Sequence, residues 1–302
     1  LAEKQVMDPI DKNKERLIQQ IEELPSLPII SYKILDLVAN KTTSFKELSK
    51  IIERDQAIAV KILKIANSSF YGFLGRVSSL EHALVLLGTK EVQSIVLGFS
   101  VYQFFSLDKT NSFDRTQIWK HAILCSQIAK YLGIYFRLPD EGSLFLSGLI
   151  HDIGKVVIDQ YFHEEFLQII DHISSNHTTF SSAEKKILGV THYQIGATLL
   201  KQWNFPHKVI MPILYHHAPW YDKDYEVNSI ILYLANILTK LSGYPCHQQE
   251  TLLNLTEFAH SPEVNYINKS GFELDYAILS KLIGHIKEIV ESESGTLMSL
   301  FQ

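Results

Sequence analysis

Apolar residues recur at three- and four-residue spacing along most of this sequence, and no long stretch alternates apolar with polar. That period is the helical one, and it commits the chain to helices that bury their apolar stripes against one another. No Asn-Gly or Asp-Gly pair marks a hairpin. The expected fold is all-α. The spacing predicts helices over about 13–23, 28–40, 44–53, 56–68, 79–88 and 89–106. Others are expected over about 115–132, 141–151, 163–174, 181–188, 191–203, 206–216, 226–242 and 273–291, with loops near 219–226 and 259–271. Ser44 with Glu47, Ser78 with Glu81, and Ser181 with Glu184 read as capping boxes, in which a hydroxyl and a carboxylate satisfy free N–H groups at a helix start. The polar run from Asp108 to Asp114 reads as a boundary between an N-terminal helical subdomain, 1–110, and a second helical domain, 111–302.

Composition narrows the function. At 302 residues, 46% hydrophobic and 20% charged, the chain can bury a large core. A net charge of −5 without a basic stripe argues against general nucleic-acid binding. Two cysteines, Cys125 and Cys246, imply no disulfide framework and fit a reducing cytoplasm. The greasiest stretch, Ile95 to Leu107, is broken by Gly98, Ser100 and Gln103 and is too short for a bilayer. No basic, hydrophobic leader opens the sequence. A cytoplasmic chain with no membrane partner is therefore expected. No phosphate-binding loop, dinucleotide fingerprint or nucleophile elbow is present.

The histidines carry the chemistry. His151-Asp152 offers an imidazole and a carboxylate to one cation, and Lys155 follows a turn later. Alone, such a dipeptide is far more often a cap or a surface pair. Helical phase adds to it. Ile118, His121, Ala122, Cys125, Ala129 and Leu132 share a stripe, so His121 points inward with the core. His192 shares one with Ile195, Gly196, Leu199 and Trp203. Val209, Ile210, Ile213, Leu214 and His217 make a third, with His216 beside it, and Asn236 follows Leu232 and Ala235 on the next helix. Cys125 reads as small core filler. Each buried imidazole needs partners, and a shared cation supplies them together. Periodicity does not show whether these segments converge.

The order His121, His151-Asp152, His192, His216-His217, Asn236 resembles the HD superfamily of metal-dependent phosphohydrolases. More narrowly, the chain resembles the HDOD (HD-related output domain) proteins of bacterial signalling. Leu24-Pro-Ser-Leu-Pro28 is similar to the opening motif of that family. Ile51-Ile-Glu-Arg-Asp55 with Lys61-Ile-Leu-Lys-Ile-Ala-Asn-Ser68 is similar to its second signature. Ala83-Leu-Val-Leu-Leu-Gly88, Trp119-Lys-His121 and Trp203-Asn-Phe-Pro206 match as well, so the likeness runs over about residues 20–240.

The resemblance implies an HD-type helical bundle with an added N-terminal helical subdomain, and one or two divalent transition-metal ions (Fe, Mn, Ni or Zn). His121, His151 and Asp152 would hold the first metal, with Asp152 as the bridge. His192, His216 and His217 would hold the second. Asn236 stands where the family pattern has Asp, and Gln117 where trinuclear members have Glu, so a third ion is not expected. Asp152 and Lys155 would be catalytic only if the protein is an enzyme, with Lys155 near a substrate phosphate. The leading expectation is a regulatory module with a signalling protein partner. The alternatives are a metal-dependent phosphohydrolase or phosphodiesterase for a nucleotide or cyclic dinucleotide, and a purely structural metal. The chain reads Ala218-Pro-Trp-Tyr-Asp after His217 and lacks the Gly-Tyr-Pro segment of the HD-GYP phosphodiesterases.

Overall fold

The computed structural model describes residues 19, 21, 23–24, 26–27, 29–39, 45–67, 77–106, 115–247, 250 and 254–293. Among them there is no strand. Before residue 110 the described helices include α1 (Ile29–Ala39), α2 (Phe45–Ile52), α3 (Gln56–Ala66), α4 (Leu80–Leu87) and α5 (Thr89–Ser106). Eleven follow: α6 (Thr116–Tyr135), α7 (Glu141–Ile150), α8 (Ile153–Tyr161), α9 (His163–Asn176), α10 (Phe180–Ile187), α11 (His192–Gln202), α12 (His207–Tyr215), α13 (Glu226–Leu241), α14 (Leu255–Ala259), α15 (Pro262–Lys269) and α16 (Tyr276–Glu293).

The family-like motifs of the first third act as local fasteners. Asp55 caps α3 by accepting from the Ile58 N–H at 3.1 Å. The Asn67 amide brackets Val77, donating to its carbonyl at 2.7 Å and accepting from its N–H at 2.8 Å. Gly88, at φ 84°, turns the chain from α4 into α5, a left-handed conformation that glycine adopts without cost. The apolar run from Ile95 lies in α5, with Ile95, Val96, Leu97, Phe99, Val101 and Phe105 all buried. No single helix among the described residues is long and apolar enough to cross a membrane.

Several local expectations are corrected. The cap of α4 is Ser79, which accepts from the His82 N–H, one residue after the expected Ser78. The cap of α10 is Thr179, and Glu184 faces inward, so Ser181 and Glu184 form no box. Ser44 lies outside the described residues, as do Asp108 to Asp114 and most of 13–23. The 259–271 stretch holds α15, begun by Ser261 as cap and Pro262 in the first turn, a start signal visible in the sequence. The weak apolar stripe there, Val264 and Ile267, gives little periodicity. The helix α8 was also not expected. Its nine residues are short and rich in Ile and Val, and packing on α11 and α9 outweighs their modest helix propensity.

Buried apolar residues from Ile21 to Ile286 form one core. At its centre α6 packs on α7 and α13, and α5 also rests on α7. Buried Lys130 of α6 pairs with Glu91 of α5 at 3.0 Å. Arg115, at the start of α6, donates to the Phe105 carbonyl at 3.1 Å and to Gln160 at 3.2 Å, and pairs with buried Asp159 of α8. Helices on both sides of residue 110 are thereby tied together.

Candidate metal centre

Two glycines set the backbone spacing of the site. A Cβ at Gly148 would stand 2.5 Å from the Ser126 Cα, so α7 approaches α6 backbone to backbone and brings His151 towards His121. A Cβ at Gly154 would stand 1.9 Å from the His192 carbonyl oxygen, so α8 abuts the first turn of α11. His151 and Asp152 are the two-residue joint between α7 and α8. The joint turns both side chains into the space enclosed by α6, α11, α12 and α13.

Four of the five imidazoles there are oriented through Nδ1. That atom lies 2.8 Å from the Tyr244 carbonyl in His121, 2.8 Å from the Gly148 carbonyl in His151 and 2.6 Å from the Ile213 carbonyl in His216. A carbonyl only accepts, so Nδ1 donates in all three, and Nε2 is left to face the cluster. In His192, Nδ1 lies 2.8 Å from Glu184 Oε2.

The Nε2 atoms surround the Asp152 carboxylate in two pairs. Oδ2 lies 3.4 Å from His151 and 4.0 Å from His121. Oδ1 lies 3.3 Å from His192 and 3.7 Å from His216. His217 Nε2 is 3.1 Å from His192 Nε2. Two ligand groups result, each with its atoms within 4.8 Å of one another: His121, His151 and Asp152; and His192, His216 and His217. Asp152 has one oxygen towards each pair, the arrangement of a bridging carboxylate. Asn236 of α13 is buried at 2% exposure. Its Oδ1 has no hydrogen-bond partner, nor have His121 Nε2, His151 Nε2, His216 Nε2 and Asp152 Oδ1. Enclosed polar atoms without partners are costly. A divalent cation satisfies nitrogen and oxygen donors of this kind together, so the residues fit a metal.

Electrostatics points the same way. Burial, reinforced by His151, lowers His121 and His216 to about 3. Burial also holds His192 and His217 well below the ordinary value. Burial works against a charge on His151, but the Asp152 carboxylate outweighs it and lifts His151 to about 10. Without a metal, the cluster thus holds its positive charge on His151 and on Lys155. The Lys155 ammonium is 2.7 Å from Asp152 Oδ2 and 4.8 Å from the centre of the Phe180 ring, and is 1% exposed.

Helical phase put His217 inward with His216 beside it, whereas His216 is the fully buried one and His217 is half-buried. The helix α12 ends at Tyr215, and its phase does not extend to the pair. Cys125 is fully buried and contributes to raising His151. Gln117 donates to the Pro245 carbonyl at 3.3 Å. Trp220 packs edge-on against Tyr233 and Tyr266, with centroids 6.3 and 6.0 Å away. Two participants were not singled out from the sequence: Glu184, and Tyr193, whose half-buried ring lies 5.3 Å from that of His192 and 5.6 Å from that of His217.

A family model for the HDOD domain matches residues 24–219, well over half of the sequence. The chain belongs to the HDOD family. Among solved structures, the HDOD protein of unknown function from Geobacter sulfurreducens superposes with a TM-score of 0.80. That match covers 95% of this chain and 99% of the other at 21% identity. A Shewanella amazonensis SB2B protein, provisionally named a phosphohydrolase, gives 0.74 over 95% and 98% at 21% identity. At such identities the likeness speaks for the HDOD fold alone. An uncharacterized Treponema pallidum protein is 24% identical over 238 residues, 77% of this chain and 45% of that one. The uncharacterized YuxH of Bacillus subtilis is 23% identical over 142 residues, 47% of this chain and 33% of that one. This HDOD chain spans less than half the length of the curated relatives it matches.

Proposed function

We propose that this HDOD protein is a bacterial signalling module built around a mono- or binuclear divalent metal centre. His121, His151 and Asp152 would hold one ion and His192, His216 and His217 the other, with Asn236 as a neutral oxygen donor. The observation that carries this reading is the ring of buried imidazole Nε2 atoms, from His121, His151, His192 and His216, that closes on the Asp152 carboxylate. Imidazole-rich ligation with one carboxylate suits Fe, Mn, Ni or Zn. The N-terminal helical subdomain, 1–110, would offer the surface for a signalling protein partner, with the metal-binding domain, 111–302, behind it.

Two features favour regulation over turnover. Asn236 brings no charge, and the Lys155 ammonium is committed to Asp152 inside the core rather than exposed to a phosphate. The second reading, a phosphohydrolase or phosphodiesterase for a nucleotide or cyclic dinucleotide, is favoured by the half-buried His217, which leaves one end of the cluster nearest to solvent. When bound, metal at this site would supply Lewis acidity to a phosphoryl oxygen or a water. In that case Asp152 would hold the metal, and Lys155 beside it would offer positive charge to the phosphoryl group.

Metal analysis of the purified protein is expected to give one or two transition-metal ions per chain, lost in Asp152→Ala. Absence of metal after growth with each candidate ion would sink the reading. Hydrolysis of an aryl phosphodiester or a cyclic dinucleotide with Mn or Fe, abolished by Asp152→Ala, would instead establish the enzyme. Metal that only raises the melting temperature, with no partner captured and no turnover, would reduce its role to a staple between helices.

A further inference from the structure

We propose that Glu184 is the positioning residue that aims His192 Nε2 at the metal cluster. The proposal rests on reading the cluster as a metal centre. Both oxygens of Glu184 are buried, at 0% exposure. Oε2 accepts from the His192 backbone N–H at 2.9 Å and lies 2.8 Å from its Nδ1. One oxygen thus fixes both the main chain and the ring of the same residue. His192 is the first residue of α11, where backbone N–H groups lack partners within the helix. The neighbouring Thr191 N–H is already satisfied by Gln194 at 3.1 Å.

The other three buried imidazoles take a main-chain carbonyl at Nδ1, and only His192 takes a carboxylate. With Nδ1–H donated to Glu184, the lone pair of His192 stands on Nε2, facing Asp152 Oδ1 at 3.3 Å and His217 Nε2 at 3.1 Å. A carboxylate behind a ligating imidazole makes the ring a stronger donor and fixes its direction. Glu184 Oε1 has no hydrogen-bond partner. A buried carboxylate with an unpartnered oxygen is a poor choice for a simple helix cap.

The test compares wild type, Glu184→Gln and Glu184→Ala in the full chain, using Zn2+ alone as probe. Three readouts are taken: ions bound per chain, affinity by chelator competition, and the tautomer of His192 from two-bond nitrogen–proton correlations in the metal-free protein. Wild type is expected to hold His192 with its proton on Nδ1. Glu184→Gln, which keeps the shape but offers His192 Nδ1–H a weaker acceptor, is expected to weaken the site holding His192 by about 10–100-fold. The His121 and His151 site should be little changed. Glu184→Ala is expected to do the same and also to mix the tautomers. Should the alanine variant fail to fold, the glutamine variant still decides. Zn2+ binding unchanged in folded Glu184→Gln, with only the melting temperature lowered, would overturn the proposal and leave the metal centre standing. No Zn2+ on wild type would overturn both.

Discussion

At the scale of single residues, the cluster stores its charge in a form that pH exposes. His121 and His216 titrate near 3 in the folded protein, against 6.5 when unperturbed. Between those values the unfolded chain binds the additional protons, so folding stability falls as pH drops below 6.5. His151 has the opposite sign. Its folded value of about 10 gives stability that is complete below 6.5 and lost as pH rises through 10. Melting temperatures of metal-stripped protein are therefore expected to peak near pH 6.5 and fall on both sides. A profile flat from pH 6.5 to 4 would show that these imidazoles are not enclosed in solution. Much of this set was legible in the sequence. The stripes of α6 and α11 point His121 and His192 inward, and both are fully buried. What was not legible has a common cause. The carbonyls of Tyr244, Gly148 and Ile213 leave no mark of residue type, because every residue has one. Glu184 did leave a mark, but a misleading one, since a serine three residues before a glutamate fits a capping box equally well.

At the scale of elements, the site depends on how closely two pairs of helices approach. Gly154→Ala would drive a methyl group into the His192 carbonyl and force α8 away from α11. The expected cost is about 1–3 kcal/mol, the range for overpacking a close contact. In α16 the neighbourhood of Gly284 is open, so Gly284→Ala is expected to stabilise by about 0.5–1 kcal/mol through helix propensity alone. Chemical denaturation of the two variants checks the contrast, and equal effects would refute the packing argument. The sequence marks most helices, the short α2, α4, α10 and α12 among them. It does not mark α8, α14 and α15: α14 has one turn, α15 carries only Val264 and Ile267 as a stripe, and α8 follows α7 after a two-residue joint.

At the scale of the whole molecule, Arg115 joins the end of α5 to α8, and one apolar core runs beneath both groups of helices. Unfolding is expected to show a single cooperative transition. Arg115→Ala should lower the unfolding free energy by about 1.5–3 kcal/mol, since it removes one partner of buried Asp159, whose other oxygen keeps His163 at 2.8 Å. Two separate transitions, with only one shifted, would show that the halves fold apart. The all-helical architecture was legible from periodicity; this junction was not, because its partners are 44 and 45 residues apart in sequence. The carbonyls that hold His121, His151 and His216 have one more consequence. They belong to the main chain, so no change of side chain at Tyr244, Gly148 or Ile213 deletes them. The backbone works as a mould: an imidazole removed from one of these three places and later restored would arrive already aimed. Among the four imidazoles held through Nδ1, only the aim of His192 is written in a side chain.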